Sequence, residues 1–341
     1  MAEWQRRPIG QTGIEVTTLG LGTATLGGNR VPISQPTAEA IVRAAWAAGV
    51  RYFDTAPFYG LGFSERRVGD ALREEDRDAW VLSTKVGRLL RPRTKTGPRE
   101  DGWLTKMPFE VEYDYSHDGI MRSFEDSLQR LGLARIDILY VHDIGEYQHG
   151  AANAAHMKAL RESGRRALER LKSSGAVRAI GLGVNETKVL LDVMAWADWD
   201  VFLLAGRYTL LEQAPLDDLL PLCQRRGTSI VVGGPLNSGI LAGRGTWNYE
   251  PAPEGVRQRA RRIGEVCARH GVELAAAALQ FPLAHPVVAS VIPGPRSAEE
   301  FAENVALMRA PIPPALWEEL RAEGLLHPSA PVPGQVPAPH R

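Results

Sequence analysis

The sequence predicts a closed (β/α)8 barrel, the TIM-barrel class of α/β fold, with an N-terminal hairpin and extra helices. Short apolar runs of strand length alternate eight times with amphipathic runs of helix length. Parallel strands need crossover connections, and these are nearly always right-handed. Eight such units in succession can close the sheet into a barrel. The chain has 341 residues, a length that these barrels reach as one unit, and no linker divides it. Residues 5–326 are therefore expected to form a single domain.

Each element follows from a local pattern. Residues 6–16 hold short polar and apolar pieces around Gly10 and Gly13, which indicates a hairpin before the barrel. Short apolar runs predict strands at residues 19–26, 52–54, 80–85, 136–142, 179–184, 201–205, 228–232 and 287–292. Apolar residues at helical spacing, several times followed by glycine, predict helices at residues 37–48, 65–73, 117–131, 156–174, 186–195, 216–226, 255–270, 273–283 and 297–307.

Three stretches fall outside this alternation. Residues 90–114 are polar, rich in proline and glycine, and carry Trp103, Phe109 and Tyr113. Loops of this length in compact domains are usually functional lids. Residues 233–253 follow the seventh strand with little periodicity, and residues 327–341 are proline-rich and are expected to be disordered.

Composition narrows the class of protein. Lysine and arginine total 40, equal to aspartate and glutamate, and no basic run argues for nucleic acid or an anionic membrane as a partner. The sequence has neither an apolar signal core at its start nor an apolar run of membrane-spanning length. Cys223 and Cys267 lack metal-ligand spacing, which favours free thiols in a reducing cytoplasm and no metal site. We expect a cytoplasmic monomer or small homo-oligomer that acts on a small molecule.

Three predicted strands each end in an ionisable residue. Asp54 ends the second strand, Lys85 the third and His142 the fourth, and Tyr59 lies in the loop after Asp54. Because the carboxyl ends of all barrel strands face one mouth, these four side chains are expected to converge there. Taken singly, each has an ordinary structural explanation, such as a turn cap, rim packing, a solvated strand end or a core histidine. Convergence on one face favours a functional site.

The four residue types together suit proton transfer. A phenol has an ordinary pKa of about 10 and is a poor base at neutral pH. We expect the ammonium of Lys85 to lower the pKa of Tyr59, with Asp54 holding Lys85 charged and oriented. His142 can donate a hydrogen bond to a substrate oxygen. The sequence thus predicts a proton-transfer site without a nucleophile or a metal.

Several motifs resemble the aldo-keto reductase superfamily. They are FDTAPFY with Asp54 and Tyr59, STK with Lys85, SLQRLGLARIDILYVHD with His142, and IPGPRSAEEFAEN at residues 292–304. The resemblance extends over residues 6–326. It implies a catalytic tetrad at Asp54, Tyr59, Lys85 and His142, a nicotinamide cofactor and a TIM barrel. Within the superfamily the chain is similar to the sugar 1-dehydrogenase branch, with L-fucose, D-threo-aldose and L-galactose dehydrogenases, and to pyridoxal 4-dehydrogenase.

The resemblance also implies a cofactor site. The residues that match cofactor-binding positions are Thr23, Asp54, Asn185, Pro235, Leu236, Ser238, Gly239, Leu241, Gly294, Arg296, Glu303 and Asn304. NADPH-using members carry Lys, Ser and Arg where this chain has Gly294, Pro295 and Glu300. Loss of two cations and gain of a carboxylate disfavour a 2′-phosphate, so NAD is expected. NADP remains an alternative cofactor, because Arg296 provides a cation that could meet its 2′-phosphate.

Three departures concern the nicotinamide pocket. Val184, Ala205 and Gly233 stand where many members have Ser, Gln and a ring-stacking Tyr, so we expect the ring to be packed differently. No GxGxxG motif follows a predicted strand, which argues against a Rossmann fold.

The resemblance favours reversible hydride transfer between NAD and the anomeric carbon of an aldose, giving an aldonolactone. The expected substrate contacts are Phe58, Trp103, Lys106 and Trp247. One alternative is the same chemistry on pyridoxal or on a general aldehyde or ketone. A more distant alternative is a non-catalytic subunit that senses nicotinamide cofactors and acts through a partner protein.

Overall fold

Eight parallel strands form the central sheet of the computed structural model, which describes residues 3–94 and 101–334. The strands in this part of the chain are β1 Arg6–Ile9, β2 Ile14–Thr17, β3 Leu21–Gly22, β4 Tyr52–Asp54, β5 Val81–Val86, β6 Arg88–Pro92, β7 Phe109–Tyr113, β8 Ile138–His142, β9 Ala179–Val184, β10 Val201–Ala205, β11 Ser229–Gly233, β12 Thr246–Trp247, β13 Glu250–Pro251 and β14 Val288–Ile292. The α-helices are α1 Gln35–Ala47, α2 Phe63–Leu72, α3 His117–Leu131, α4 Glu146–His149, α5 Asn153–Ala159, α6 Arg165–Ser173, α7 Lys188–Met194, α8 Leu219–Arg226, α9 Glu254–Arg269, α10 Leu274–Gln280, α11 Ala298–Arg309 and α12 Pro314–Ala322.

The central sheet closes on itself. Its order is β3-β4-β5-β8-β9-β10-β11-β14, and all of its pairings are parallel. Leu19, just before β3, forms a parallel bridge with Val291 of β14, and the Gly22 amide donates to the Pro293 carbonyl at 3.0 Å. The predicted (β/α)8 barrel is confirmed.

Burial on both faces explains why the barrel strands are apolar almost throughout. β9 and β8 are fully buried, as expected of a sheet covered by helices outside and by its own core inside. The inner core includes Tyr52, Tyr140 and Leu203, together with Ile14 from the β1–β2 hairpin. The predicted hairpin therefore closes the amino-terminal end of the barrel.

Two elements of the structure differ from the elements that the sequence predicts, and in the second of them a glycine packs closely. The strand expected at residues 19–26 is reduced to Leu21–Gly22 and followed by a 3-10 turn at Thr25–Gly27. The helix expected at residues 156–174 is α5, a π-helical turn at Leu160–Gly164, and α6. Gly164 lies against the backbone of Tyr115, where a Cβ would clash. This close approach accompanies the local widening of the helix.

The stretches outside the alternation have more structure than the sequence indicates. Within residues 90–114, β6 and β7 pair as an antiparallel hairpin, and residues 95–100 lie outside the described residues. Residues 233–253 contain a 3-10 turn at Asn237–Ala242 and the β12–β13 pair. In the tail expected to be disordered, Ala330 and Val332 are buried against the core, while residues 335–341 lie outside the described part. Within the described ranges, no helix combines the length and hydropathy needed to cross a bilayer.

Candidate active site

Strand pairing brings three of the predicted residues to the carboxyl-terminal mouth of the barrel. Asp54 is the last residue of β4 and pairs with Ser83 of β5. Ser83 and Lys85 lie two residues apart and so share one face of that strand. His142 is the last residue of β8 and is 4% exposed. All of these side chains lie at the same end of the sheet.

Tyr59 is placed over this mouth by a contact between two glycines. Gly60 has a φ of +63°, a conformation that favours glycine. A Cβ on Gly60 would clash with Gly27, and a Cβ on Gly27 would clash with the backbone at Tyr59 and Gly60. The loop after β4 therefore rests directly on the turn after β3. Larger residues at either glycine would move Tyr59.

A buried ion pair forms the floor of the site. Lys85 Nζ donates to Asp54 Oδ2 at 2.7 Å and to the Thr55 carbonyl at 2.9 Å. Ser83 Oγ donates to the other carboxylate oxygen, Oδ1, at 2.7 Å. Burial raises the pKa of Asp54 and lowers the pKa of Lys85, and their contact opposes both shifts. The lysine is thus oriented by Asp54, as the sequence predicts.

Tyr59 lies between this pair and His142. Lys85 Nζ is 4.6 Å from the centre of the Tyr59 ring, and the His142 ring meets Tyr59 edge-on at 5.7 Å. The structure therefore brings together all four residues that the sequence singles out.

The predicted lowering of the Tyr59 pKa is wrong. Burial, followed by the charge of Asp54, raises the pKa of the Tyr59 phenol well above its ordinary value. The charge of Lys85 does not offset these effects because Asp54 is bound to it at 2.7 Å. Tyr59 is consequently neutral at physiological pH and poised to donate a proton.

His142 is also neutral. Burial lowers its pKa well below the ordinary value, and the positive charges of Arg88 and Lys85 add to the effect. Its main-chain carbonyl accepts a hydrogen bond of 2.8 Å from the Tyr115 hydroxyl, which helps to hold the end of β8. A neutral imidazole beside the mouth can donate one hydrogen bond without adding charge.

Two cavities meet at Tyr59. The first is a trench between the ends of β3, β11 and β14, and Asp54 lines it. The second is a pocket that Lys85 and His142 line. Tyr59 lines both cavities, and so does Tyr249 from the loop after β12. A ligand in the trench and a ligand in the pocket would therefore meet beside the Tyr59 phenol.

Most of the residues expected to bind the cofactor line the trench. They are Thr23, Asp54, Pro235, Leu236, Ser238, Gly239, Gly294, Arg296 and Asn304. Asn185 lines the pocket instead and donates to the Ala205 carbonyl at 3.2 Å. Leu241 and Glu303 line neither cavity: Leu241 is fully buried in the core, and Glu303 is exposed beside Asn304, since adjacent helical residues point in different directions.

The trench has the chemistry that a dinucleotide requires. Arg244 and Arg296 line it and provide cations, and Ser238 provides a hydroxyl. Glu300 accepts from Arg244 Nη2 at 2.6 Å and from the Arg296 amide at 2.8 Å, which fixes a carboxylate at the same end of the trench. The residues present therefore fit a nicotinamide dinucleotide. Among the described residues, no three His, Cys, Asp or Glu side chains are grouped as ligands for a metal ion.

Only two of the four expected substrate contacts line the pocket. Phe58 and Trp103 line it, with ring centres 5.3 Å apart and planes at 85°. Lys106 is exposed and lines neither cavity. Trp247 turns away, because its indole nitrogen donates to Glu212 at 2.7 Å. The structure therefore does not place Lys106 or Trp247 at either cavity, and both positions depend on loop conformation.

Three residues that shape the site are not among those that the sequence predicts. Arg88 and Asp143 line the pocket as an ion pair with a 2.5 Å contact. Tyr249 spans both cavities, and its side chain is hydrogen-bonded to that of Asn185. Tyr249 and Gly233 both line the trench. Asp143 directly follows His142 and Arg88 lies three residues after Lys85, so adjacency to the predicted tetrad was the available signal.

Comparison with known proteins gives a matching family and named relatives. Residues 18–323 match the Aldo/keto reductase family. The chain is 46% identical over 336 residues to a pyridoxal 4-dehydrogenase from Microbacterium luteolum, covering 94% of this chain and 98% of the relative. It is 40% identical over 328 residues to a D-threo-aldose 1-dehydrogenase from a Pseudomonas species, covering 93% and 96%.

Solved structures show the same architecture. An aldo-keto reductase from Bacillus halodurans in its holo form superposes with a TM-score of 0.73 at 26% identity, and the match covers 98% of this chain and 99% of that one. The shared barrel therefore extends over nearly the whole of both chains.

Proposed function

The chain belongs to the aldo/keto reductase family, and from that premise we propose that it is an NAD-dependent dehydrogenase of cyclic hemiacetals, with an aldose oxidised at its anomeric carbon to a lactone. Members of this family are oxidoreductases that act on small molecules with nicotinamide cofactors. The proposal adds the substrate class, the cofactor preference and the roles of individual residues.

The observation that carries the proposal is the position of Tyr59 at the junction of the two cavities. Oxidation of a hemiacetal removes a hydride from carbon and a proton from the attached hydroxyl. Both must leave from neighbouring atoms, so the hydride acceptor and the proton acceptor must face the same point. A cofactor in the trench and a sugar in the pocket meet that requirement at Tyr59.

Each residue then has a defined task. Tyr59 exchanges the proton with the substrate oxygen, and His142 donates a hydrogen bond that orients this oxygen. Lys85, held by Asp54, keeps a positive charge 4.6 Å from the phenol ring, where it stabilises the phenolate as it forms. A bound nicotinamide supplies the hydride acceptor. Phe58 and Trp103 form an aromatic corner against which a sugar ring can pack.

Pyridoxal is a second candidate because of the 46% identity to a pyridoxal 4-dehydrogenase. Pyridoxal carries a hydroxymethyl group beside its aldehyde, so it closes to a cyclic hemiacetal. Its oxidation would also give a lactone, by the same exchange of hydride and proton. One chemistry therefore accounts for both relatives.

The test is a substrate panel monitored at the NADH absorbance band. L-fucose, D-arabinose, L-galactose, L-glucose and pyridoxal are each supplied with NAD or NADP, and the products are assayed as lactones. We expect turnover of at least one free hemiacetal with NAD. The methyl glycoside of the preferred sugar is the control, because its blocked anomeric oxygen cannot release a proton. Turnover of that glycoside, or of acyclic aldehydes and ketones alone, would contradict the hemiacetal assignment.

The proposed preference for NAD over NADP is based on the Glu300 carboxylate, which lines one end of the trench. A 2′-phosphate would be repelled by this carboxylate, whereas a ribose hydroxyl could donate to it. Gly294 also lines the trench, and a Cβ there would make only ordinary contacts of 3.4 Å with Gly22 and Thr25. A longer side chain at position 294 can therefore be tolerated.

We expect Gly294→Lys combined with Glu300→Arg to shift the ratio of kcat/KM for NAD over NADP at least tenfold towards NADP, a change of about 1.4 kcal/mol. The two new cations would bind the extra phosphate. Glu300→Gln is the matched control and should shift the ratio less, because it removes the repulsion without adding a donor cation. An unchanged ratio in the double variant would reject this account of cofactor choice.

A further inference from the structure

Asp143 occupies an unusual position beside His142. Its φ is +43°, in the left-handed region that few residues other than glycine adopt. In this conformation its Oδ2 accepts from Arg88 Nη2 at 2.5 Å and lies 3.4 Å from His142 Nε2. The carboxylate is thus directed at the side of the imidazole that faces the pocket.

The two ring nitrogens of His142 have different surroundings. Nδ1 is buried and makes no hydrogen bond with any described residue. Nε2 faces the Asp143 carboxylate, which can only accept hydrogen bonds when ionised. A neutral imidazole carries one proton, and its tautomer is set by the partner of its nitrogens. The carboxylate therefore favours the proton on Nε2.

We propose that Asp143, held in place by Arg88, is a positioning residue that fixes His142 as the Nε2–H tautomer. The 3.4 Å separation of Nε2 from Asp143 Oδ2 is longer than an ordinary hydrogen bond, so the Nε2 proton stays available to an acceptor in the pocket. The Nδ1–H tautomer would present a lone pair there instead. The catalytic benefit rests on the proposed function, in which His142 donates to the substrate oxygen. The tautomer assignment itself does not.

Burial and Arg88 explain why the nearby carboxylate does not stabilise His142 as the imidazolium. An isolated carboxylate near an imidazole favours the imidazolium. Here burial lowers the pKa of His142, and the positive charges of Arg88 and Lys85 add to this effect. The ion pair thus supplies an oriented acceptor while its net charge stays close to zero.

Packing keeps Arg88 in the required place. It is 1% exposed, and its guanidinium carbon lies 4.3 Å from the centre of the Phe58 ring and 5.5 Å from that of Tyr113. Its Nη2 also donates to Gln148 at 3.2 Å. A buried arginine that contacts two aromatic rings and donates to two side chains cannot move away from Asp143 without unpacking the pocket wall.

The test measures the tautomer directly. Protein labelled with 15N-histidine is examined by long-range proton–nitrogen correlation at neutral pH, and the His142 signals are assigned by their loss in His142→Gln. We expect wild-type His142 to be the neutral Nε2–H form. In Asp143→Asn, which tolerates the same backbone conformation, we expect a measurable Nδ1–H population and a 10- to 100-fold lower kcat. The Kd for NAD should change less than twofold.

Asp118→Asn is the matched control, since Asp118 is an exposed carboxylate bound to His117 Nδ1 at 2.8 Å. It should leave the His142 signals and kcat unchanged. Wild-type His142 in the Nδ1–H or charged form would overturn the proposal, and this readout is made on the wild-type protein itself. Full Nε2–H character and full activity in Asp143→Asn would overturn it as well. Absence of hemiacetal turnover in the wild-type enzyme would count against the proposed function and not against the tautomer assignment.

Discussion

Tyr59→Phe is expected to lower kcat for hemiacetal oxidation about 10²–10⁴-fold, the contribution typical of a positioned acid or base. The substitution removes only the hydroxyl at the junction of the two cavities. The ring keeps its contacts with Lys85 and His142, so the shape of the site is retained. Steady-state turnover measures the loss, and quenching of NADH fluorescence measures cofactor binding, which should stay within about twofold of wild type.

Tyr208→Phe is the matched control for this substitution. Tyr208 is fully buried, its hydroxyl makes no hydrogen bond with any described residue, and it lines neither cavity. Removal of the Tyr208 hydroxyl should leave turnover unchanged. Ordinary turnover in Tyr59→Phe would reject the assignment of Tyr59 as the proton-transfer residue.

The raised pKa of Tyr59 gives the same residue a pH signature. Oxidation uses the phenolate form of Tyr59 as the base, so its rate should rise with pH through the alkaline range as more of the phenol ionises. Reduction uses the neutral phenol and should decline over that range. The Tyr59→Phe variant should lose this alkaline rise in its residual oxidation rate.

The barrel and its tetrad could be predicted because both depend on strand periodicity. Asp54, Lys85 and His142 end their strands, and the parallel register of the sheet fixes which end of the barrel they reach. Tyr59 lies in a short loop after β4, so its place was also constrained. Of these four residues, only Tyr59 depends on the conformation of a loop.

Other parts of the site depended on features that the sequence does not reveal. Ser238, Asn248 and Tyr249 all have positive φ angles, and these conformations direct Tyr249 into the cleft and Trp247 out of it. Side-chain propensity does not predict a left-handed conformation for serine or tyrosine. The sign of the Tyr59 pKa shift also depended on burial, which outweighs a lysine whose charge Asp54 already offsets. Composition and residue spacing do not show how burial compares with the charges around Tyr59.

Lys85→Met is expected to lower the free energy of unfolding by about 3–5 kcal/mol, because it leaves the Asp54 carboxylate buried without its partner. Lys85 and Asp54 are 1% and 2% exposed, so water cannot replace the lost ammonium. Hydride-transfer activity should fall by at least about a hundredfold as the positive charge beside Tyr59 disappears. Urea unfolding followed by circular dichroism measures the first effect, and steady-state kinetics the second.

The double variant Asp54→Asn with Lys85→Met separates these two effects. It removes both charges while the asparagine can still accept the 2.7 Å hydrogen bond from Ser83. Replacement of a whole buried ion pair is often nearly neutral, so most of the lost stability should return. Activity should stay low, because no cation lies beneath the phenol. Recovery of both stability and turnover would mean that Lys85 serves only to neutralise Asp54, and recovery of neither would mean that the pair holds the barrel mouth together by more than its charge.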